Sequence, residues 1–329
     1  MFIFSIVALL AWSGSDLFSK AGTNEKDKNS HWKVVFAVGL IMGIHFLITL
    51  LGGLIIDNNG GPDELPKFVS SLFYTDFKLI DFVRYLPVAG LYILAMVLGY
   101  IGLRYIELSV SSPICNCSGS LALILCVLIF PLIGADPISL DLPMIIGVVL
   151  ITLGILGVGI VDSKENQELK ALRRQESNRK YAKSFLALLL PIAYLIIDAL
   201  GTVGDEVFFH YYGEFVSDYS ANSSFELTFL LLAIFAFVWV KFVKKDKLFT
   251  GTKNKMLYVG GACETLGQIF YMAVMFADYS IGMVIISAYC VLSLVWSRIF
   301  LKEKLSIFHY IAILLAITGI VLLGIYSPV

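Results

Sequence analysis

Long apolar stretches separated by short polar breaks recur along the whole chain. The first covers about residues 2–20, with Asp16 inside it, and the second, about 34–56, contains no charged residue. A third lies between Arg84 and Arg104, a fourth within the uncharged run 108–135, and a fifth at about 142–161. After a charged interval come 184–204 (with Asp198), 225–243, 256–277 (with Glu264), 279–301 and 306–327. Each can cross a bilayer, which takes roughly 20 apolar residues in a helix. None alternates polar and apolar residues as a barrel strand would, and lipid offers no partner to an open strand edge. The pattern therefore predicts an all-α integral membrane protein of ten transmembrane helices.

Composition agrees. The 329 residues are 58% hydrophobic and 15% charged, with a mean hydropathy of +0.86, against roughly 45–50% and about 25% in an ordinary soluble domain. So much apolar surface exceeds what one soluble core can hide. The net charge of -1 gives no bulk basic field for nucleic acid. The N-terminus lacks a basic n-region, so an uncleaved first span is expected. Cys115, Cys117, Cys126, Cys263 and Cys290 all sit in apolar segments and form no C-x-x-C. They read as small buried hydrophobes.

The loops set the orientation. Loops after odd-numbered helices carry 21 Lys and Arg, and the opposite side carries only Lys67, Lys78 and Arg84. By the positive-inside rule the first set is cytoplasmic and both termini face outward. This is the multi-pass topology expected of a cell (inner) membrane protein. Residues 163–183 form a charged cytoplasmic linker between a first five-helix repeat, 1–162, and a second, 184–329. Outside, 65–73 reads as a short interfacial helix, Phe208, Phe209, Tyr211 and Tyr212 as an aromatic belt, and 217–224 as a loop bearing the weak sequon Asn222-Ser223-Ser224.

The two halves match in order. Ala11-Trp12-x-x-x-Asp16 parallels Ala193-Tyr194-x-x-x-Asp198, Glu107-Leu-Ser-Val parallels Asp278-Tyr-Ser-Ile, and Gly154-Ile155-x-x-x-Gly159-Ile160 parallels Gly319-Ile320-x-x-x-Gly324-Ile325. Five helices per half is odd, so the halves enter the membrane from opposite faces, an inverted repeat of the kind secondary transporters use. Residues 276–325, with the short joint at 278–280, the Lys302-Glu-Lys-Leu-Ser306 turn and the glycine-marked last helix, resemble the repeat of the drug/metabolite transporter superfamily, in its EamA-like branch. The first half departs from the family pattern at its corresponding turn, Gly134–Asp141, which lacks the basic–acidic pair. The resemblance implies a ten-helix carrier with a central cavity walled by helices 1, 3, 4, 6, 8 and 9. Many relatives are expected to have cytosolic termini, whereas the charge count here places them outside.

Carboxylates inside spans are costly, at roughly 2.5–3.5 kcal/mol each on insertion scales, and so mark candidate sites. Glu264 shares a helix face with Gln268 and Tyr271, and can bind a cation or carry a proton. Asp198 is flanked by Tyr194 and Thr202; Asp16 lies one turn from Trp12 and from Lys20, which also suits a plain helix ion pair. Ser109, Ser112, Asn116 and Ser120 make a polar stripe on helix 4, answered by Ser280 and Ser287 on helix 9. Serines serve equally for close helix packing. His45 stands alone in helix 2 and reads as an interhelical hydrogen-bonding residue. Arg298, at the cytoplasmic end of helix 9, can snorkel.

No Lys or Arg lies deep in a span, which argues against organic phosphates as substrates. The function expected is secondary transport of a small neutral, zwitterionic or cationic metabolite, such as an amino-acid-like compound or drug, coupled to protons, with no cofactor and no metal. A polytopic membrane enzyme and a lipid-interacting membrane protein are the alternatives. The first lacks H-E-x-x-H and Walker A motifs, and the second has no need of an inverted repeat. The expected partners are the substrate, protons and membrane lipid; the oligomeric state is left open.

Overall fold

The computed structural model describes residues 1–23, 27–105, 114–134, 138, 140–165, 185–211, 216–248, 254–277, 280–300 and 306–326. Most of the linker at 163–183, the motifs at 107–110 and 278–279, Ser109, Ser112 and most of the 302–306 turn lie outside them, as do the side chains of Arg298 and Ser280. The helices are α1 (Phe2–Gly22), α2 (Ser30–Asp57), the short α3 (Lys67–Phe73), α4 (Leu79–Tyr105), α5 (Ser118–Ile133), α6 (Leu142–Glu165), α7 (Phe185–Glu206), α8 (Asp218–Val238), α9 (Asn254–Phe276), α10 (Ser280–Ser287), α11 (Tyr289–Phe300) and α12 (Ile307–Tyr326). No strand occurs among the described residues.

Seven of these segments are long and apolar enough to cross a membrane: Phe2–Gly22, Ser30–Asp57, Leu79–Gly102, Ile114–Ile133, Leu142–Val161, Asp218–Val243 and Ile307–Tyr326. Their outward faces fit lipid as solvent. On α12 the large residues Ile307, Ile311, Leu314, Ile317, Val321 and Ile325 are exposed, and Ala312, Ala316, Gly319 and Leu323 are buried. Lipid tails are as apolar as leucine, so hydrophobicity does not draw such helices together; small residues do, by letting backbones approach.

Contacts divide the chain into two compact units, each built from segments before and after the charged interval. The first joins Ile3–Ile93 to Gly204–Ser280, and the second joins Leu94–Val203 to Ile281–Val329.

In the first unit α2 packs antiparallel on α8. Trp32 meets Phe235 at 5.5 Å between ring centroids and Phe36 meets Phe237 at 5.9 Å, while further along His45 reaches Glu226. At the crossing, Gly39 lies so close to the Phe229 carbonyl and the Ala233 methyl that no Cβ fits. α1 lies antiparallel to α9: Gly22 adjoins Leu257, Gly14 adjoins Cys263 and Trp12 covers Gly267.

In the second unit α6 and α12 pair antiparallel. Gly147 adjoins Leu323 and Gly319, and a Cβ on Gly154 would stand 2.8 Å from both the Ala312 carbonyl and the Ala316 methyl.

Several expectations are corrected. Segment 217–224 is no loop: Ser217 caps α8 by accepting from the Ser220 amide, and α8 begins at Asp218. The sequon Asn222-Ser223-Ser224 is therefore buried within a helix. The ninth apolar run is broken at Ala288 into α10 and α11. Arg84 is not a loop residue but stands within α4, against Asp81 at 3.5 Å. The short helix expected at 65–73 is present as α3, with Ser70 and Ser71 buried and Phe68 and Phe73 about half exposed.

Candidate functional site

The first unit holds an acidic and aromatic cluster. α7 does not stop before Asp205 but runs through Glu206 and continues as a π turn over Val207–Tyr211. Both carboxylates are thereby taken fully inside. Tyr85 and Tyr92, two turns apart on one face of α4, donate their hydroxyls to Asp205 Oδ1 at 2.6 Å and Oδ2 at 2.8 Å. Tyr271 of α9 approaches the same Oδ2 at 3.3 Å, and its hydroxyl is 2.5 Å from that of Tyr92. Tyr92 and Tyr271 thus both direct their hydroxyls at Asp205 Oδ2 and lie within hydrogen-bond distance of each other. The result is a carboxylate ringed by three phenols. Trp12 of α1 packs on the Tyr271 ring at 5.4 Å. Phe208 and Phe209 flank Tyr85 at 5.9 and 6.4 Å and so support this cluster; the Tyr211 side chain and Tyr212 lie outside the described residues.

The expected site residues fall into two groups. Trp12, Asp16, Glu264, Gln268 and Tyr271 lie in the first unit, on the antiparallel pair α1 and α9. Tyr271 and Trp12 join the Asp205 cluster directly. Gln268 is buried one turn before Tyr271, and Glu264 is half-buried a turn earlier. Asp16 and Lys20 form no ion pair within 4 Å, yet the Lys20 charge one turn away still acts on the Asp16 carboxylate.

Asn116, Tyr194, Asp198 and Ser287 lie in the second unit. Asp198 takes a hydrogen bond from Ser118, and Asn116 is buried two residues before that serine. Tyr194 packs over Gly99 of α4. Ser287 bonds back to the Val284 carbonyl at 2.8 Å and abuts Gly119.

His45 is not alone. Its Nδ1 is 2.7 Å from Glu226 Oε1 and its Nε2 is 3.0 Å from the Leu72 carbonyl. Glu226 also accepts from Asn222 Nδ2 at 3.0 Å. At the N-terminal end of α8 a polar lattice ties α8 to α3, to the segment entering α4 and to the first turn of α4. Lys67 pairs with Asp218 at 2.6 Å, Ser70 with Tyr219 at 2.8 Å, Ser223 with Thr75 at 2.7 Å, and Ser220 with Asp81 at 3.2 Å. Burial pushes the Lys67 ammonium down, and the Asp218 carboxylate beside it more than reverses this, leaving Lys67 above its ordinary 10.5. Among the described residues no group of three or more His, Cys, Asp or Glu side chains is placed to hold a metal ion.

Asp205, Glu206, Glu226, Tyr85 and Tyr92 were missed by sequence reasoning. The apolar run ends at Gly204, which made Asp205 and Glu206 look like loop charges, and Glu226 looked like the first residue of its helix. The usable signal was the spacing of Tyr85 and Tyr92 on one helical face.

The spanning helices and their lipid-facing surfaces define a multi-pass membrane protein. Residues 186–325, the second half of the chain, match the family model of EamA-like transporters. This bears out the resemblance carried by the 276–325 segment and marks a membrane protein of the transporter type. One solved crystal structure is similar over 99% of this chain and 96% of its own, with a TM-score of 0.64 and 14% identity; that likeness shows the fold alone. No curated protein matches the chain.

Proposed function

We propose that the protein is a proton-coupled secondary carrier that moves a small neutral, zwitterionic or cationic metabolite by alternating access. The observation that carries this reading is the cluster of Asp205, Tyr85, Tyr92 and Tyr271, a carboxylate held among aromatic hydroxyls inside the helical bundle. Such a group can bind an amine, or pass a proton by breaking one O–H bond as another forms. Trp12, Gln268 and Glu264 extend the same region along α1 and α9. In this reading Glu264 exchanges the coupling proton.

An inverted pair of five-helix repeats is supported by two antiparallel pairings. α2 with α8, and α6 with α12, are helices in corresponding places of the two sequence halves, and each pair runs in opposite directions. Lys33, buried in α2, sits in the first turn of that helix, and Arg84 sits in the second turn of α4 against Asp81; basic groups near helix ends favour a substrate without phosphate. The cytoplasmic side is assigned to 163–183, and both termini to the other face of a cell membrane.

The test has two stages. Candidate metabolites are screened for stabilisation of the purified protein, since a ligand of the folded state raises the melting temperature by mass action. The compounds that bind are then offered to proteoliposomes with and without an imposed pH gradient. The reading requires uptake that follows the gradient and is lost in Glu264→Gln while binding survives. Turnover of a bound compound into a new product would favour the enzyme alternative instead.

A further inference from the structure

The His45–Glu226 pair takes no part in the cluster above, and its geometry has a consequence for proton count. Glu226 lies about 12 Å along α8 from Asp218, and His45 about 18 Å along α2 from Asp57, at roughly 1.5 Å per residue. The Glu226 side chain is wholly buried and that of His45 is 15% exposed. The imidazole is held at both nitrogens by acceptors: Glu226 Oε1 at 2.7 Å and the Leu72 carbonyl at 3.0 Å. A carbonyl cannot donate, so the Leu72 contact requires a proton on Nε2. The Glu226 contact requires a second proton, on Nδ1 or on Oε1. Two more acceptors, Glu226 Oε2 and Asn222 Oδ1, have no hydrogen-bond partner among the described residues.

We propose that His45 and Glu226 form a one-proton binding site inside the membrane, and that its occupancy decides whether the outer helix α3 is tied to α2. The inference rests on the proton-coupled reading and names a proton site distinct from Glu264. With the shared proton present, both contacts are made and the pair is neutral overall. Release of that proton to water leaves one N–H on the ring between two acceptors. Glu226 takes it, because a bond to a carboxylate is the stronger one and a buried carboxylate held by the Asn222 amide alone is costly. The bare Nε2 then faces the Leu72 oxygen, two lone pairs at 3.0 Å, and the C-terminal end of α3 comes free. No electrons move, and the only bonds exchanged are those to the proton.

The ionisable groups on the surrounding elements include Asp57 on α2, Lys67 on α3, Tyr74 and Asp76 between α3 and α4, Asp81, Arg84, Tyr85 and Tyr92 on α4, Asp218 and Tyr219 on α8, and Tyr258, Cys263, Glu264 and Tyr271 on α9. Lys67 holds Asp218, Arg84 and Ser220 hold Asp81, Ser217 holds Asp76, and Tyr92 and Tyr271 serve Asp205. None of these contacts reaches the Leu72 carbonyl.

Ser71, buried on α3 and beside Leu72, reports the release. Ser71→Cys is labelled with a membrane-impermeant maleimide, with no substrate present, in the full-length protein in liposomes. Each rate is corrected for the chain without the added cysteine and divided by that of the exposed control Asn59→Cys, which cancels thiol chemistry. The ratio should rise roughly tenfold through one step as the pH is raised across roughly pH 5 to 8. In His45→Gln/Glu226→Gln the amides can keep both contacts without a titrating proton, so the ratio should stay low throughout. Glu226→Gln alone, a milder change, should remove or displace the step. A flat ratio in the parent, or an unchanged step in either variant, overturns the proposal. So does a step that follows sodium at fixed pH. Because the readout needs no transport, failure of the carrier reading is seen separately, as absent gradient-driven uptake.

Discussion

A buried carboxylate is only as stable as its donors, and Asp205 has tyrosines for donors. Tyr85→Phe removes one of the hydroxyls that donate to Asp205 in a fully buried place. The expected cost is about 1.5–3 kcal/mol, the range for hydrogen bonds to charged groups, read as a lower unfolding temperature in detergent. Tyr310→Phe on an exposed face of α12 should stay within about 0.5 kcal/mol. Equal stability of the two variants would mean that the tyrosines do not anchor Asp205. A second residue-scale prediction concerns acid. The Asn29 amide donates to Asp246 at 3.0 Å, and Lys33, buried in the first turn of α2, reaches the same oxygen at 3.2 Å and Asp27 at 2.6 Å. Asn29 first, and Lys33 with it, hold the Asp246 carboxyl below its ordinary 3.8. A depressed carboxylate contributes stability that is complete above the ordinary value and is lost as pH falls through the folded one. Asn29→Ala should therefore show a constant deficit against the parent near neutrality, and the deficit should vanish only in strong acid. A deficit that grows as the pH falls would contradict this sign.

Elements meet here through small residues. Gly39→Ala places a methyl against the Phe229 carbonyl, which is backbone and cannot swing away. α2 and α8 must separate, and the expected loss is about 1–3 kcal/mol, as for overpacked cores. Thermal unfolding of Gly39→Ala beside Gly90→Ala tests it, because nothing stands within 4 Å of a Cβ at Gly90. Comparable losses at both glycines would assign the effect to helix propensity and not to packing. The spans themselves were legible in the hydropathy pattern because lipid forces the same local solution on every apolar run. Their ends were not. α8 begins at Asp218 because Ser217 caps it and its first polar turns find partners on Thr75, Asp81 and Lys67. Polar residues look like a loop until those partners are known.

At the scale of the whole molecule the orientation is open to direct measurement. Ser177→Cys, in the charged interval, should react with an impermeant thiol reagent only from the cytoplasm, and the exposed Asn59→Cys only from outside. Reaction of Ser177→Cys from outside would invert the topology. Alternating access adds a further expectation. Asp16 comes late in α1 and Asp198 late in α7, helices that the charge pattern sends across in opposite directions. If each aspartate serves a gate on its own side, Asp16→Asn should favour the inward-open state and Asp198→Asn the outward-open state. A charge-assisted hydrogen bond of roughly 1.5–3 kcal/mol is enough to shift the populations about tenfold. Cysteine accessibility measured from each side reads the shift, and a change in the same direction for both would end the two-gate account.

What the sequence determined by itself is the solvent of this protein and the secondary structure that solvent demands. Apolar runs of membrane length, a lopsided distribution of Lys and Arg, and a second half that resembles EamA-like carriers are all properties of residues near one another in the chain. Glu264, Gln268 and Tyr271 were found for the same reason, since they share one face of one helix. Tertiary structure decided which buried carboxylate meets which donor. Asp205 stands 120 residues from Tyr85, and Glu226 stands 181 residues from His45. Read locally, Asp205 is a charge at a helix end and His45 a lone polar side chain. Only the packing of α2 on α8, and of α4 and α9 around the end of α7, makes one the centre of a ring of hydroxyls and the other half of a proton site. Hydrogen bonds act over about 3 Å, and sequence distance carries no information about them until the helices are in place.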